Sequence, residues 1–82
     1  MPRLRALSGR DVVRILNGFG FAVVAIRGSH AKLRRLLPDG RHETLTVPLH
    51  DTLATGTIRA LYRRAARFVA ESDLRPHFYL DR

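Results

Sequence analysis

At 82 residues the chain has room for one domain and one modest core. It contains no Cys, which excludes disulfide staples, thiolate metal sites and a Cys nucleophile. Fifteen Lys and Arg against seven Asp and Glu give a formal net charge of +8, which favours a polyanionic partner, nucleic acid before membrane. The excess is uneven: eight cations and one anion, Asp11, precede Pro38, whereas seven cations and six anions follow. No apolar run approaches the roughly 20 residues that span a bilayer. Met1-Pro2-Arg3 leads into no signal-peptide core, so a soluble, cytoplasmic protein without a membrane partner is expected.

Ser8-Gly9-Arg10-Asp11 reads as a helix start, with Ser8 as the cap and Asp11 reaching back to it. Val12, Ile15, Leu16 and Phe19 recur on one helical face, and Gly20 suits a left-handed C-cap, which predicts a helix over about 10–19. Phe21 to Ile26 is apolar and rich in β-branched residues, a strand over about 21–27. Gly28-Ser29 then has Gly first, as a two-residue type II′ turn requires. That turn sets Arg27 opposite His30, Ile26 opposite Ala31 and Val24 opposite Leu33. One face of the pair then carries Val24, Ile26, Ala31 and Leu33, and the other Arg27, His30, Lys32 and Arg34, with Phe21 and Val23 as its apolar members.

Strand two is expected over about 30–37, and Pro38-Asp39-Gly40 forms a three-residue loop with Gly in the left-handed position. The register that follows pairs Leu33 with Leu45 and Ala31 with Val47 on the core face, and Lys32 with Thr46 and Arg34 with Thr44 on the polar face. Strand three spans about 42–48 and ends at Pro48. A second helix over about 57–71, capped by Thr57, carries Ile58, Leu61, Tyr62, Ala65, Phe68 and Val69 as its apolar stripe. Arg59, Arg63, Arg64 and Arg67 fall elsewhere on it; Arg59, Arg63 and Arg67, four residues apart, read as a solvated face sooner than as a phosphate stripe or a meeting surface for an acidic partner. Ser72-Asp73-Leu74 is expected to break this helix and Pro76 to keep 75–82 non-helical. The tail 72–82, apolar at His77-Phe78-Tyr79-Leu80, is expected to dock on the domain or on a partner.

The whole is an α+β fold, α-β-β-β-α, a three-stranded antiparallel sheet with two helices on one face. This is the element order of the double-stranded-RNA-binding fold.

Gly20-Phe21, then Gly28-Ser29-His30 six residues on, Pro38-Asp39-Gly40-Arg41, Val47-Pro48-Leu49-His50 and Gly56-Thr57-Ile58-Arg59-Ala60-Leu61 together resemble the HicA (YcfA-like) toxins of bacterial toxin–antitoxin pairs. The resemblance implies a small metal-independent, cofactor-free endoribonuclease that cuts mRNA and is neutralised by a HicB-type antitoxin. It also implies that His30 is catalytic. When free, such a protein is expected to be a monomer.

The chemistry agrees with that implication. RNA supplies its own nucleophile, the 2′-hydroxyl, so cleavage needs proton transfer and charge stabilisation at phosphate. Histidine, with an ordinary pKa of about 6.5, serves the first near neutral pH. Arg and Lys serve the second by clamping non-bridging oxygens. His30 is therefore the candidate base, with Arg27, Gly28, Ser29, Lys32, Arg34 and Arg35 as the candidate RNA contacts. His50 is a possible second acid or base if the third strand stays extended past Pro48. His42 and His77 carry no such expectation, and no His pair has metal-ligand spacing. The alternative is a non-catalytic RNA- or DNA-binding module of the same fold.

Overall fold

The computed structural model describes residues 2–80; residues 81 and 82, with which the predicted tail ends, lie outside the described part. The elements are β1 (Arg3–Leu4), α1 (Gly9–Asn17), β2 (Ala22–Arg27), β3 (His30–Leu36), β4 (His42–Pro48), α2 (Thr55–Ala65), α3 (Glu71–Phe78) and β5 (Tyr79–Leu80). Elements α1 to α2 give the expected α-β-β-β-α order around an antiparallel sheet, β2-β3-β4. The core lies between the Ala31, Leu33, Leu45 and Val47 face of this sheet and the helices, which contribute Val12, Leu16, Ile58 and Leu61.

Helix α1 starts as its sequence dictates. The Ser8 hydroxyl accepts the Asp11 N–H at 3.0 Å, and Asp11 Oδ2 accepts the Ser8 N–H at 2.9 Å, a complete capping box. The bond donated by the Ser8 N–H, foremost, and the nearby Ser8 hydroxyl hold the Asp11 carboxyl below its ordinary value. The helix ends where Phe21 N–H reaches back to Leu16 O at 3.1 Å around Gly20, whose φ of +92° favours glycine. Gly9 answers a different demand. Its N–H donates to His50 O at 2.9 Å, and a Cβ there would stand 2.0 Å from Pro48 O.

Both hairpins form as the turn residues require. Gly28 has φ +57°, and among the described residues no non-glycine has positive φ, so the turn is of the II′ rather than the I′ kind. Gly40 sits at φ +88°. The β3–β4 register is the expected one, from Lys32–Thr46 and Arg34–Thr44 to Leu33–Leu45 and Ala31–Val47.

The β2–β3 register departs from expectation in one place. Ile26–Ala31 and Arg27–His30 pair as predicted, but Val23, not Val24, lies opposite Leu33, because a bulge interrupts β2 between Val23 and Ala25. The extra residue reverses the facing of everything before it. Phe21, expected on the polar face, turns into the core and is 1% exposed. Burying a Phe side chain is worth about 1.5–3 kcal/mol, more than the roughly 0.5–1.5 kcal/mol of a ladder hydrogen bond disturbed by a bulge. Val23, Val24 and Ile26 stay exposed, because β2 is an edge strand that the helices do not cover.

The second half departs more. Helix α2 starts at Thr55 with Ala54, not Thr57, at the cap position, and no side chain caps it. It ends at Ala65, where the N–H groups of Phe68 and Val69 turn back to Ala65 O. The chain then forms α3, the segment expected to be non-helical, with Pro76 inside it. Leu74 and Phe78, one turn apart, are both fully buried. Their burial, about 1.5–3 kcal/mol each, offsets the roughly 3 kcal/mol that an internal proline costs. Glu71 and Asp73 in the first turn and Arg75 and His77 in the last complement the helix dipole.

The tail docks on its own domain. Strands β1 and β5 pair, Arg3 with Leu80 and Leu4 with Tyr79, and Arg5 N–H donates to Phe78 O at 2.8 Å. The Tyr62 hydroxyl donates to Glu71 at 2.7 Å, and burial with this bond pushes its pKa above the usual 10.

Replacing Gly9 by Ala tests the close approach of α1 to β4. The added methyl has no room against Pro48 O, so the substitution should cost about 1–3 kcal/mol as an overpacked site. Thermal melting should drop by several degrees; an unchanged midpoint would refute the contact.

Candidate active site

The end of the sheet where β3 begins and β4 stops is also where α2 starts. His30 opens β3 directly opposite Pro48, and the ladder continues one step further with Leu49 N–H donating to Ser29 O. From there α2 runs back along the β4 edge in the opposite chain direction. Between them lies a groove of about 410 Å³. Its sheet side is His30, Thr46 and Pro48; its helix side is Gly56, Thr57, Ala60, Leu61 and Arg64.

The helix side follows from spacing. Gly56, Ala60 and Arg64 recur every four residues and so share one stripe of α2. The two residues nearest the sheet end are small, and a Cβ at Gly56 would meet nothing within 4 Å, so the groove is open above His30. Arg64 closes its far end with a guanidinium that no carboxylate pairs with among the described residues. The first turn of α2 also carries no acidic residue and no side-chain cap, which leaves its first N–H groups without a side-chain acceptor at the positive end of the helix dipole.

The His30 imidazole is exposed and, among the described residues, makes no hydrogen bond. Among the described residues it is the one titratable acid–base side chain lining the groove, and Arg64 is the one cation. Lys32 and Arg34 follow His30 on its face by alternation, next to Thr46 and Thr44, and Arg27 pairs with His30 across the hairpin. Gly28 and Ser29 form the turn that starts β3, so they aim His30 rather than line the groove.

Two expected site residues are placed elsewhere. Arg35 faces the helices, not the polar side. Its Nε donates to Glu43 at 2.8 Å, its two terminal nitrogens to Phe19 O at 3.1 Å and Phe68 O at 2.8 Å, and its guanidinium lies 5.0 Å from the Phe21 ring centre. Alternation alone assigns this facing, since Arg35 shares the side of Leu33 and Ala31. His50 is exposed and does not line the groove; its carbonyl is held by Gly9. Thr46, Thr57 and Arg64 were missed from sequence, although the Gly-x-x-x-Ala-x-x-x-Arg stripe of α2 was there to read.

A small α+β domain with one histidine and one arginine, unpaired among the described residues, lining an open groove is the class that fold and site define. Residues 9–66 match the family model described as HicA toxin of bacterial toxin–antitoxin. The chain belongs to the HicA toxin family, and its role is that of the toxin of a toxin–antitoxin pair. Among curated proteins none matches.

The bonds of Arg35 generate a prediction. Arg35→Gln removes charge-assisted bonds and leaves Glu43, whose side chain is 15% exposed, without its partner. Unfolding in urea should show a loss of about 1.5–3 kcal/mol, while the salt dependence of RNA binding by the folded variant stays as in the parent. A flattened salt dependence with unchanged stability would return Arg35 to the RNA face.

Proposed function

We propose that the protein is a metal-independent endoribonuclease that cuts mRNA with His30 as general base, and that a HicB-type antitoxin neutralises it. The observation that carries this reading is the unbonded His30 imidazole in a groove whose one lining cation among the described residues is Arg64. His30 takes the proton of a 2′-hydroxyl, and the 2′-oxygen attacks the adjacent phosphorus. The P–O5′ bond breaks, leaving a 2′,3′-cyclic phosphate and a 5′-hydroxyl, the latter protonated by water or by the imidazolium formed in the first step. Arg64 and the N–H groups at the start of α2 stabilise the charge that gathers on the non-bridging oxygens. Lys32, Arg34 and Arg27 hold the strand by phosphate contacts. An antitoxin that buries this groove needs an acidic surface to meet these cations.

His30→Ala is the direct test. The side chain is exposed, so stability should change by about 0.5 kcal/mol or less, and RNA should still bind through the cations. Cleavage should fall by roughly 10²-fold or more, in excess EDTA as well as without it. A folded, RNA-binding His30→Ala protein that cuts at the parent rate sinks the assignment.

With one acid–base group in the groove, kcat/KM should rise with pH through a single ionisation and then level, rather than follow a bell. A bell-shaped profile would bring a second group, His50 first, back into the mechanism. Lys32→Gln with Arg34→Gln should flatten the log–log salt dependence of RNA binding by ~0.7 for each phosphate no longer neutralised; an unchanged slope removes these two from the RNA face.

A further inference from the structure

The space between β4 and α2 does not end at Arg64. A second depression of about 240 Å³ continues it, lined by Thr44, Leu45, Arg64, Arg67 and Phe68, with Arg64 common to both. Its alignment follows from chain direction. Going from Pro48 back to Thr44 covers four strand residues, about 14 Å at ~3.4 Å each. Going from Thr57 forward to Arg64 covers seven helical residues, about 10 Å at ~1.5 Å each. The helix path is the shorter by about 4 Å, and the turn beyond α2 that carries Arg67 makes up the difference, so the basic end of α2 arrives beside Thr44 as its small-residue end stands beside His30.

Two cations meet there without an anion. The acidic neighbour on β4, Glu43, is bound to Arg35 on the other side of the strand. Among the described residues no carboxylate lies within ion-pair distance of Arg64 or Arg67. The Thr44 hydroxyl, on the same face as Thr46 and His30, adds a neutral donor. Arg59 and Arg63 are exposed and line neither depression, so only part of the helix charge is directed at the groove.

We infer that Thr44, Arg64 and Arg67 form a second phosphate subsite, which takes a phosphodiester of the RNA strand on a different nucleotide from the one cut at His30. The inference rests on the reading of the His30 groove as an RNA site. The subsite positions rather than reacts: it fixes how the strand enters, so that one linkage, and not its neighbours, lies over the imidazole. Arg67 is its distinctive member, since Arg64 also serves the reacting phosphate.

The test is made on the full chain with two backgrounds. In His30→Ala, which leaves the RNA intact, Arg67→Gln should weaken binding of a single-stranded RNA oligonucleotide several-fold and lower the log–log salt slope by ~0.7. Arg63→Gln, the same charge change on the outward side of the helix, should leave the slope unaltered. In the active protein Arg67→Gln should raise KM and leave kcat in place, and trimming the RNA on one side of the cut should abolish the difference from the parent. Thermal melting of each variant separates unfolding from loss of the subsite. If Arg67→Gln matches the parent in slope and KM, or if Arg63→Gln weakens binding equally, the subsite does not exist. A protein that binds RNA with the Arg67 dependence but never cuts it would overturn the nuclease reading and leave the subsite standing.

Discussion

The guanidinium of Arg35 is the constraint on which the rest of the molecule depends. It joins the carbonyl of Phe19, in the turn that follows α1, to the carbonyl of Phe68, in the turn that follows α2, and to Glu43 on β4, while stacking on Phe21 just before β2. A cation this enclosed is costly to desolvate unless its fork of donors is used. Here Nε and both terminal nitrogens are, and two of the three acceptors are backbone carbonyls in the turns that follow the two helices. One side chain thus closes both helices onto the sheet. It also explains why a strand so rich in cations does not simply repel itself: alternate residues send their charge to opposite sides, one used for structure and the others outside any ion pair among the described residues.

The same clamp sets the groove. Its bond to Phe68 holds the end of α2 against β4, and the contact of Gly9 with Pro48 and His50 holds the other end of β4. Between these two points α2 must lie along the strand edge, and the side chains on its facing stripe decide how much room is left. Gly56 and Ala60 leave it open over His30, and Arg64 narrows it with charge. On its remaining side α2 is supported by residues outside the region shared with the family: Tyr62 packs edge-on to Phe78 at 5.3 Å and to Tyr79 at 5.1 Å, and bonds Glu71.

What the sequence made legible was what local chemistry decides. Ser8 with Asp11, Gly20, Gly28 and Gly40 each satisfy a backbone requirement within a few residues, and those elements appear where expected. The β3–β4 register followed, because the turn and the alternation agree on it. What was hidden depends on partners distant in sequence. The bulge in β2 exists because Phe21 finds a place between Phe68 and Arg35, its ring centre 6.2 Å from that of Phe68. Helix α3 exists because Leu74 and Phe78 fill the core, against the local preference of Pro76. The candidate base was readable from its turn, whereas its helical wall needed the path of α2, which no local rule gives.

That distinction bears on how a groove of this kind can be altered. His30 is held by Gly28-Ser29, a turn that forms from local preference and tolerates little change. Arg64, in the last turn of α2, and Arg67, in the turn that follows, are placed by the length and path of that helix, which α3, β5 and β1 brace from behind through Phe78 and the Arg5 N–H bond to it. The proposed reacting group and the groups proposed to seat the RNA strand are thus fixed by different parts of the chain. Changes in the brace would shift the helix stripe against the sheet and alter where the proposed RNA strand sits, while leaving the imidazole and its hairpin as they are.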